Sequence, residues 1–149
     1  MNPSYLLDVD LSVGGLRTVA HDRQRETILV VDDNLDIRRL AKIFLEHFGY
    51  TVVTAADGDE GLRMYEKQQA SIALLLSDVR MPNMNGLELA DRVLRMDSQL
   101  PVLLMSAELG CDYGGLECVV KPFRPAELIE VVSRLLNAKA HSERAASAA

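Results

Sequence analysis

Ser77-Asp78-Val79-Arg80-Met81-Pro82-Asn83-Met84-Asn85-Gly86 begins where an apolar run, Ile72-Ala73-Leu74-Leu75-Leu76, stops. A short apolar run bounded by turn residues reads as a buried strand. Asp78 then stands at the carboxyl end of that strand. In open parallel sheets this is the edge where ligands and chemistry collect. Pro82 and Gly86, with two asparagines between them, break the strand and allow tight backbone turns. One carboxylate is thus set on a rigid strand end with a shaped loop beside it.

Outward from this stretch, the chain alternates strand and helix patterns. Upstream, Thr27-Ile28-Leu29-Val30-Val31 is a β-branched apolar run that predicts a central strand, with Asp32 and Asp33 at its end. Asn34 is placed to cap a helix from Leu35 to Phe48. Its inward stripe is Ile37, Leu40, Ala41, Phe44, Leu45 and Phe48, with Gly49 at the left-handed cap position. Thr51 to Ala55 reads as a second strand. Gly58 to Gln68 reads as a second helix, with Leu62 and Tyr65 inward. Downstream, Gly86 to Met96 predicts a third helix with Leu87, Ala90, Val93 and Leu94 inward. Pro101 to Met105 is a fourth strand with Ser106 at its end, and Glu117 to Val120 is a fifth, closed by Lys121-Pro122. Pro125 suits the first turn of a last helix carrying Leu128, Val131, Val132, Leu135 and Leu136. Strands alternating with helices predict an α/β fold, a parallel sheet covered on both faces.

The ends carry less information. Residues 1–26 read as an N-terminal tail in which Leu7-Asp8-Val9-Asp10-Leu11 could form one short exposed strand. Residues 138–149, rich in Ala and Ser with few anchors, read as a flexible C-terminal tail. The folded domain is expected over residues 27–137.

Composition narrows the function. With 149 residues and 48% of them hydrophobic, one packed domain is the natural outcome. A net charge of −6 and a pI near 5.0 oppose binding to nucleic acid or anionic membrane through the body of the domain. No apolar run is long enough to span a membrane. Met1 to Asp10 has neither the positive start nor the apolar core of a secretory signal. A cytoplasmic protein with reduced thiols at Cys111 and Cys118 is the expectation. There is no GxGxxG and no GxxxxGK[ST], so the phosphate loops of dinucleotide and nucleoside-triphosphate binders are missing.

If the first, third, fourth and fifth strands share one edge, Asp32, Asp33, Asp78, Ser106 and Lys121 meet there. Three crowded carboxylates repel one another and call for a cation. Few, hard oxygen ligands suit Mg²⁺. Lys121 adds a point charge suited to a phosphate oxygen, and Ser106 adds a hydroxyl donor. Such a site fits a phosphoryl group, and a carboxylate can itself be the nucleophile. Asp78, after the central buried strand, is the leading candidate. Each feature alone is commonplace, since an Asp after a strand is usually a cap or turn residue. Their recurrence at successive strand ends is not.

The pieces Val30-Val31-Asp32-Asp33, Asp78 to Gly86, Ser106-Ala107 and Lys121-Pro122-Phe123 together resemble the receiver domain of two-component response regulators, the chemotaxis-regulator-like superfamily. The resemblance implies a flavodoxin-like sheet of order 2-1-3-4-5. It implies that Asp78 accepts phosphate from a histidine kinase or a histidine phosphotransfer protein. Asp33, Asp78 and the Arg80 backbone carbonyl would bind Mg²⁺ directly, Asp32 would act mainly through water, and Lys121 and Ser106 would hold phosphoryl oxygens. It also implies a cis Lys121–Pro122 bond. The protein would then be a phosphoacceptor rather than an enzyme. With only about a dozen residues after the last helix, output is expected through protein contact as a single-domain regulator.

Two departures from the family pattern stand out. Only ten residues, Ala107 to Leu116, separate the fourth and fifth strands, and three of them are glycines. That is short for a parallel crossover with its own helix, so the usual fourth helix is expected to be reduced or absent. Cys118 occupies the place of the family's switch aromatic, so the Ala107–Leu116 loop itself is expected to order or shift on phosphorylation. Arg80 and Glu108 are placed to flank attacking water or to pair with each other.

Three other readings compete. An Mg²⁺-dependent aspartyl-nucleophile phosphatase usually has a general-acid Asp two residues after the nucleophile, where this chain has Arg80. A flavodoxin-like flavin binder would set a phosphate against an acidic cluster. A degenerate, phosphate-independent receiver would not need all five site residues.

Overall fold

The computed structural model describes residues 26–148 apart from residue 111. The expected strand over 7–11 lies outside the described residues. The elements are β1 (Thr27–Val31), α1 (Leu35–His47), β2 (Thr51–Ala55), α2 (Gly58–Gln68), β3 (Ile72–Asp78), α3 (Gly86–Met96), β4 (Val102–Ser106), β5 (Glu117–Val120) and α4 (Pro125–Ala148). All strand pairings are parallel, in the order β2-β1-β3-β4-β5. This is the flavodoxin-like receiver topology that the resemblance implied.

The sheet forms because its strands have no polar face to show to water. Ile28 through Val31 and Leu74 through Leu76 are fully buried, as parallel strands covered on both sides must be. Alternate residues feed two cores. Ile28, Val30, Leu74, Leu76, Leu103 and Met105 pack under α1 and α4. Leu29, Val31, Leu75, Val102 and Leu104 pack under α2 and α3.

Helix ends follow local chemistry. The Asn34 side chain accepts the amides of Asp36 and Ile37, at 2.9 and 3.3 Å, and starts α1. Gly49, at φ 96°, closes it in the left-handed conformation. Asp57 caps α2 and Asn85 caps α3 in the same way as Asn34.

Two of the expected inward residues are corrected. In α1, Ala41 and Leu45 form the buried centre while Leu40 lies at the margin, 38% exposed. In α3, Leu89 is fully buried and Leu87 is 37% exposed. The reason is Gly86. A Cβ there would stand 2.1 Å from the Asp78 carbonyl oxygen, so the start of α3 is pressed onto the end of β3. That contact turns Gly86, Leu89, Ala90 and Val93 inward and rotates Leu87 outward.

Between β4 and β5 no helix forms among the described residues, as the short crossover predicted. Tyr113, Leu116 and Cys118 pack there against the second core. At the C-terminus, α4 continues to Ala148, where a flexible tail was expected from residue 138. Leu128, Val132 and Leu136 anchor its first half. Beyond them Lys139 lies 3.9 Å from both Asp97 and Glu143, and the alanine-rich remainder has high helix propensity.

The rotation of α3 is testable by urea denaturation. Leu89→Ala is expected to cost about 2–5 kcal/mol, as for a fully buried leucine. Leu87→Ala is expected to cost under about 1 kcal/mol. Equal costs would mean that the helix faces the sheet as the periodicity alone suggested.

Candidate functional site

Parallel pairing brings the strand ends to one edge. Asp32 and Asp33 follow Val31, which pairs with Ser77; Asp78 pairs with Met105; and Ser106 pairs with Val120, just before Lys121. Backbone bonds continue past the strands, from Val79 N–H to the Met105 carbonyl at 3.0 Å and from Lys121 N–H to the Ser106 carbonyl at 2.7 Å. All five residues expected at the site therefore lie on the same edge.

Asp32, Asp33 and Asp78 each offer a carboxylate oxygen, and these oxygens lie within 4.8 Å of one another. Asp32 is fully buried, Asp78 nearly so, and Asp33 is exposed. Lys121 reaches across the sheet edge to bridge two of them. Its Nζ is 2.9 Å from Asp32 Oδ2 and 3.0 Å from Asp78 Oδ1. The other Asp32 oxygen accepts the Asn34 amide at 2.9 Å, and Arg38 donates to the Asp32 carbonyl at 2.7 Å. Asp32 is thus held from three sides, whereas Asp33 faces solvent.

The electrostatics are unequal. Burial pushes the Asp78 carboxyl above its usual range; the Lys121 hydrogen bond opposes this, and the charges of Asp32 and Asp33 add to the rise. Burial works to lower the Lys121 ammonium, but its bonds to Asp32 and Asp78 outweigh that and hold it above its ordinary value. Among the described residues the cluster has three carboxylates for one ammonium, so a divalent cation complements it. The donors are hard oxygens, the set that Mg²⁺ takes.

The loop after Asp78 is rigidly built. Gly86 N–H bonds the Val79 carbonyl at 2.9 Å, and Asn83 holds a left-handed backbone, φ 68°. Met81 and Met84 are buried beneath it. The Lys121–Pro122 peptide is cis, as the resemblance implied. Arg80 and Glu108 form an ion pair, one of the two arrangements expected of them. One contact was not foreseen: the Tyr113 hydroxyl lies 2.9 Å from Ser106 Oγ. No motif marks Tyr113; only the short crossover hinted that something else must fill the gap.

A family model described as "Response regulator receiver domain" matches residues 28–133. The "Probable transcriptional regulator ycf27" of Cyanophora paradoxa is 37% identical over 119 residues, 75% of this chain and 48% of that protein. The "DNA-binding response regulator MtrA" of Mycolicibacterium smegmatis is 34% identical over 115 residues, 72% of this chain and 49% of that protein. The chain spans about half the length of these curated relatives. Among solved structures, the chemotaxis protein CheY4 of Vibrio cholerae superposes with a TM-score of 0.68 at 33% identity, covering 74% of this chain and 98% of that one.

The raised Asp78 carboxyl has a consequence for stability. Asp78 binds its proton more tightly folded than unfolded. Between its unfolded value, 3.8, and the higher folded value, stability therefore falls as pH rises. Asp78→Asn removes that cost. In chelator-treated buffer the variant is expected to melt above the wild type at pH 7, and the difference should close as the pH drops to 3. Equal melting temperatures at pH 7 would contradict an Asp78 carboxyl raised by its burial.

Proposed function

Since the chain belongs to the response regulator receiver family, we propose that it accepts a phosphoryl group on Asp78 from a histidine kinase or a histidine phosphotransfer protein. The observation that carries this reading is the Asp32–Lys121–Asp78 bridge beside Asp33, with Asp78 at the end of the central strand. It is a signalling domain rather than a catalytic enzyme.

The chemistry follows from the residues. An Asp78 carboxylate oxygen forms the new bond to phosphorus while the bond to the donor's imidazole nitrogen breaks, and that nitrogen keeps the electron pair. Transfer of this kind asks the protein mainly for position and for charge opposite the phosphoryl oxygens. Lys121 is already seated between Asp32 and Asp78 and exchanges one carboxylate for a phosphoryl oxygen. Ser106, the last residue of β4, offers a hydroxyl. Asp33, Asp78 and the Arg80 carbonyl are the proposed direct holders of Mg²⁺, with Asp32 acting through water. A bound Mg²⁺ supplies positive charge against the phosphoryl oxygens.

The output proposed is protein contact. The net charge of −6 opposes nucleic-acid binding through this chain and supports that reading. The exposed Arg80–Glu108 pair bounds the water side of the site and can set how long the phosphoryl group lasts. As an ion pair it adds little stability.

Labelling with radioactive acetyl phosphate tests the reading. The wild type should take label only with Mg²⁺, Asp78→Asn should take none, and Asp33→Asn should take far less. Undiminished labelling of Asp78→Asn would refute the site. Mg²⁺ alone should raise the wild-type melting temperature in proportion to the logarithm of its concentration, well above its dissociation constant. It should do so much less for Asp33→Asn.

A further inference from the structure

The hydroxyl of Ser106 is turned toward the β4–β5 crossover. Its Oγ accepts the Glu108 amide at 3.0 Å, lies 3.5 Å from the Glu108 carbonyl oxygen, and lies 2.9 Å from the Tyr113 hydroxyl. Ser106 is 4% exposed and ends the strand next to Asp78. Tyr113 is half-buried and, like Leu116 and Cys118, packs on the second core. The loop is also tied at Glu108 to Arg80, two residues beyond Asp78.

Proton counting gives this arrangement a direction. A serine hydroxyl donates once and accepts twice. A phosphoryl oxygen accepts only, and charged acceptors make the stronger bonds. With phosphate on Asp78, the single Ser106 proton goes to it. The two acceptor positions of Oγ are then filled by the Glu108 N–H and by Tyr113 O–H. Of the two directions open to the 2.9 Å Ser106–Tyr113 contact, the one left is then Tyr113 as the donor. The chain Tyr113 O–H to Ser106 O–H to phosphoryl oxygen is then polarised along its length, and each bond strengthens the next.

We propose that Tyr113 is a positioning residue whose hydroxyl, donating to Ser106 Oγ, aims the Ser106 proton at a phosphoryl group on Asp78 and fastens the β4–β5 loop to it. The inference rests on the phosphoacceptor reading and deepens it. It places the read-out in residues 107–116 rather than in a ring on β5, where Cys118 stands. The phosphorylated loop is the tighter one.

Four chains test this: wild type, Tyr113→Phe, Ser106→Ala and the double variant. Two measurements are made on each, steady-state label from acetyl phosphate and amide exchange over 107–116 with and without beryllofluoride and Mg²⁺. The wild-type loop should gain protection with beryllofluoride. Tyr113→Phe should still take label, at a level about three- to tenfold lower, the worth of one hydrogen bond, and its loop should gain no protection. Ser106→Ala should behave alike, and the double variant should lose no more than the worse single one. Additive losses, a labelled wild type whose loop keeps or loses protection, or a Tyr113→Phe chain indistinguishable from wild type would each overturn the inference alone. A wild type that takes no label would overturn the phosphoacceptor reading, and the inference with it.

Discussion

One ammonium group sits between two carboxylates, and the fold has to be right for it to be there. Lys121 and Asp32 are 89 residues apart in sequence and meet at 2.9 Å. Asp32 follows β1 and Lys121 follows β5, with β3 and β4 lying between those strands. An order that carried β5 away from β1 would leave the buried Asp32 carboxylate without this partner, at severe cost. The continuous apolar strands and the parallel registers therefore serve the same end as the charges. They carry every strand terminus to one edge and leave the third carboxylate, Asp33, in reach of solvent.

The two faces of the sheet are not equivalent. One is closed by α1 and α4, whose buried residues Ala41, Leu45, Leu128, Val132 and Leu136 share a core. The other is closed by α2, α3 and the crossover, where Tyr113 and Leu116 do work that elsewhere falls to a helix. A helix brings its own backbone hydrogen bonds. The crossover instead uses an Asp112 side chain accepting the Gly114 amide and a Leu116-to-Tyr113 backbone bond. Its order depends more heavily on side-chain contacts with the site.

Much of this could be read from the sequence because it is written in local patterns. Apolar runs end at Asp32, Asp78, Ser106 and Lys121, and parallel pairing then fixes where those residues go. Asn34 and Gly49 announce the ends of α1 by their own backbone chemistry. What could not be read depends on contacts between distant segments. Leu87 and Leu89 fit the helical period equally well; the choice is made by Gly86 pressing on the Asp78 carbonyl. Continuation of α4 past residue 137 draws on Asp97, over forty residues back, through Lys139. Tyr113 finds Ser106 only because the crossover folds inward, and a tyrosine among glycines carries no periodic signal.

The packing around the Asp78 loop divides the site mechanically. A Cβ on Gly58 would stand 2.7 Å from Met84, and one on Gly86 would overlap the Asp78 carbonyl. There is no slack on that side, and close-packed interiors hardly compress. Around Gly110, Gly114 and Gly115, by contrast, a Cβ would meet nothing within 4 Å. Asp78 is therefore flanked by one hard wall and one soft wall. On the phosphoacceptor reading, bulk or charge added at its carboxylate meets close packing on the side of Gly58 and Gly86, while the crossover glycines leave open space around themselves.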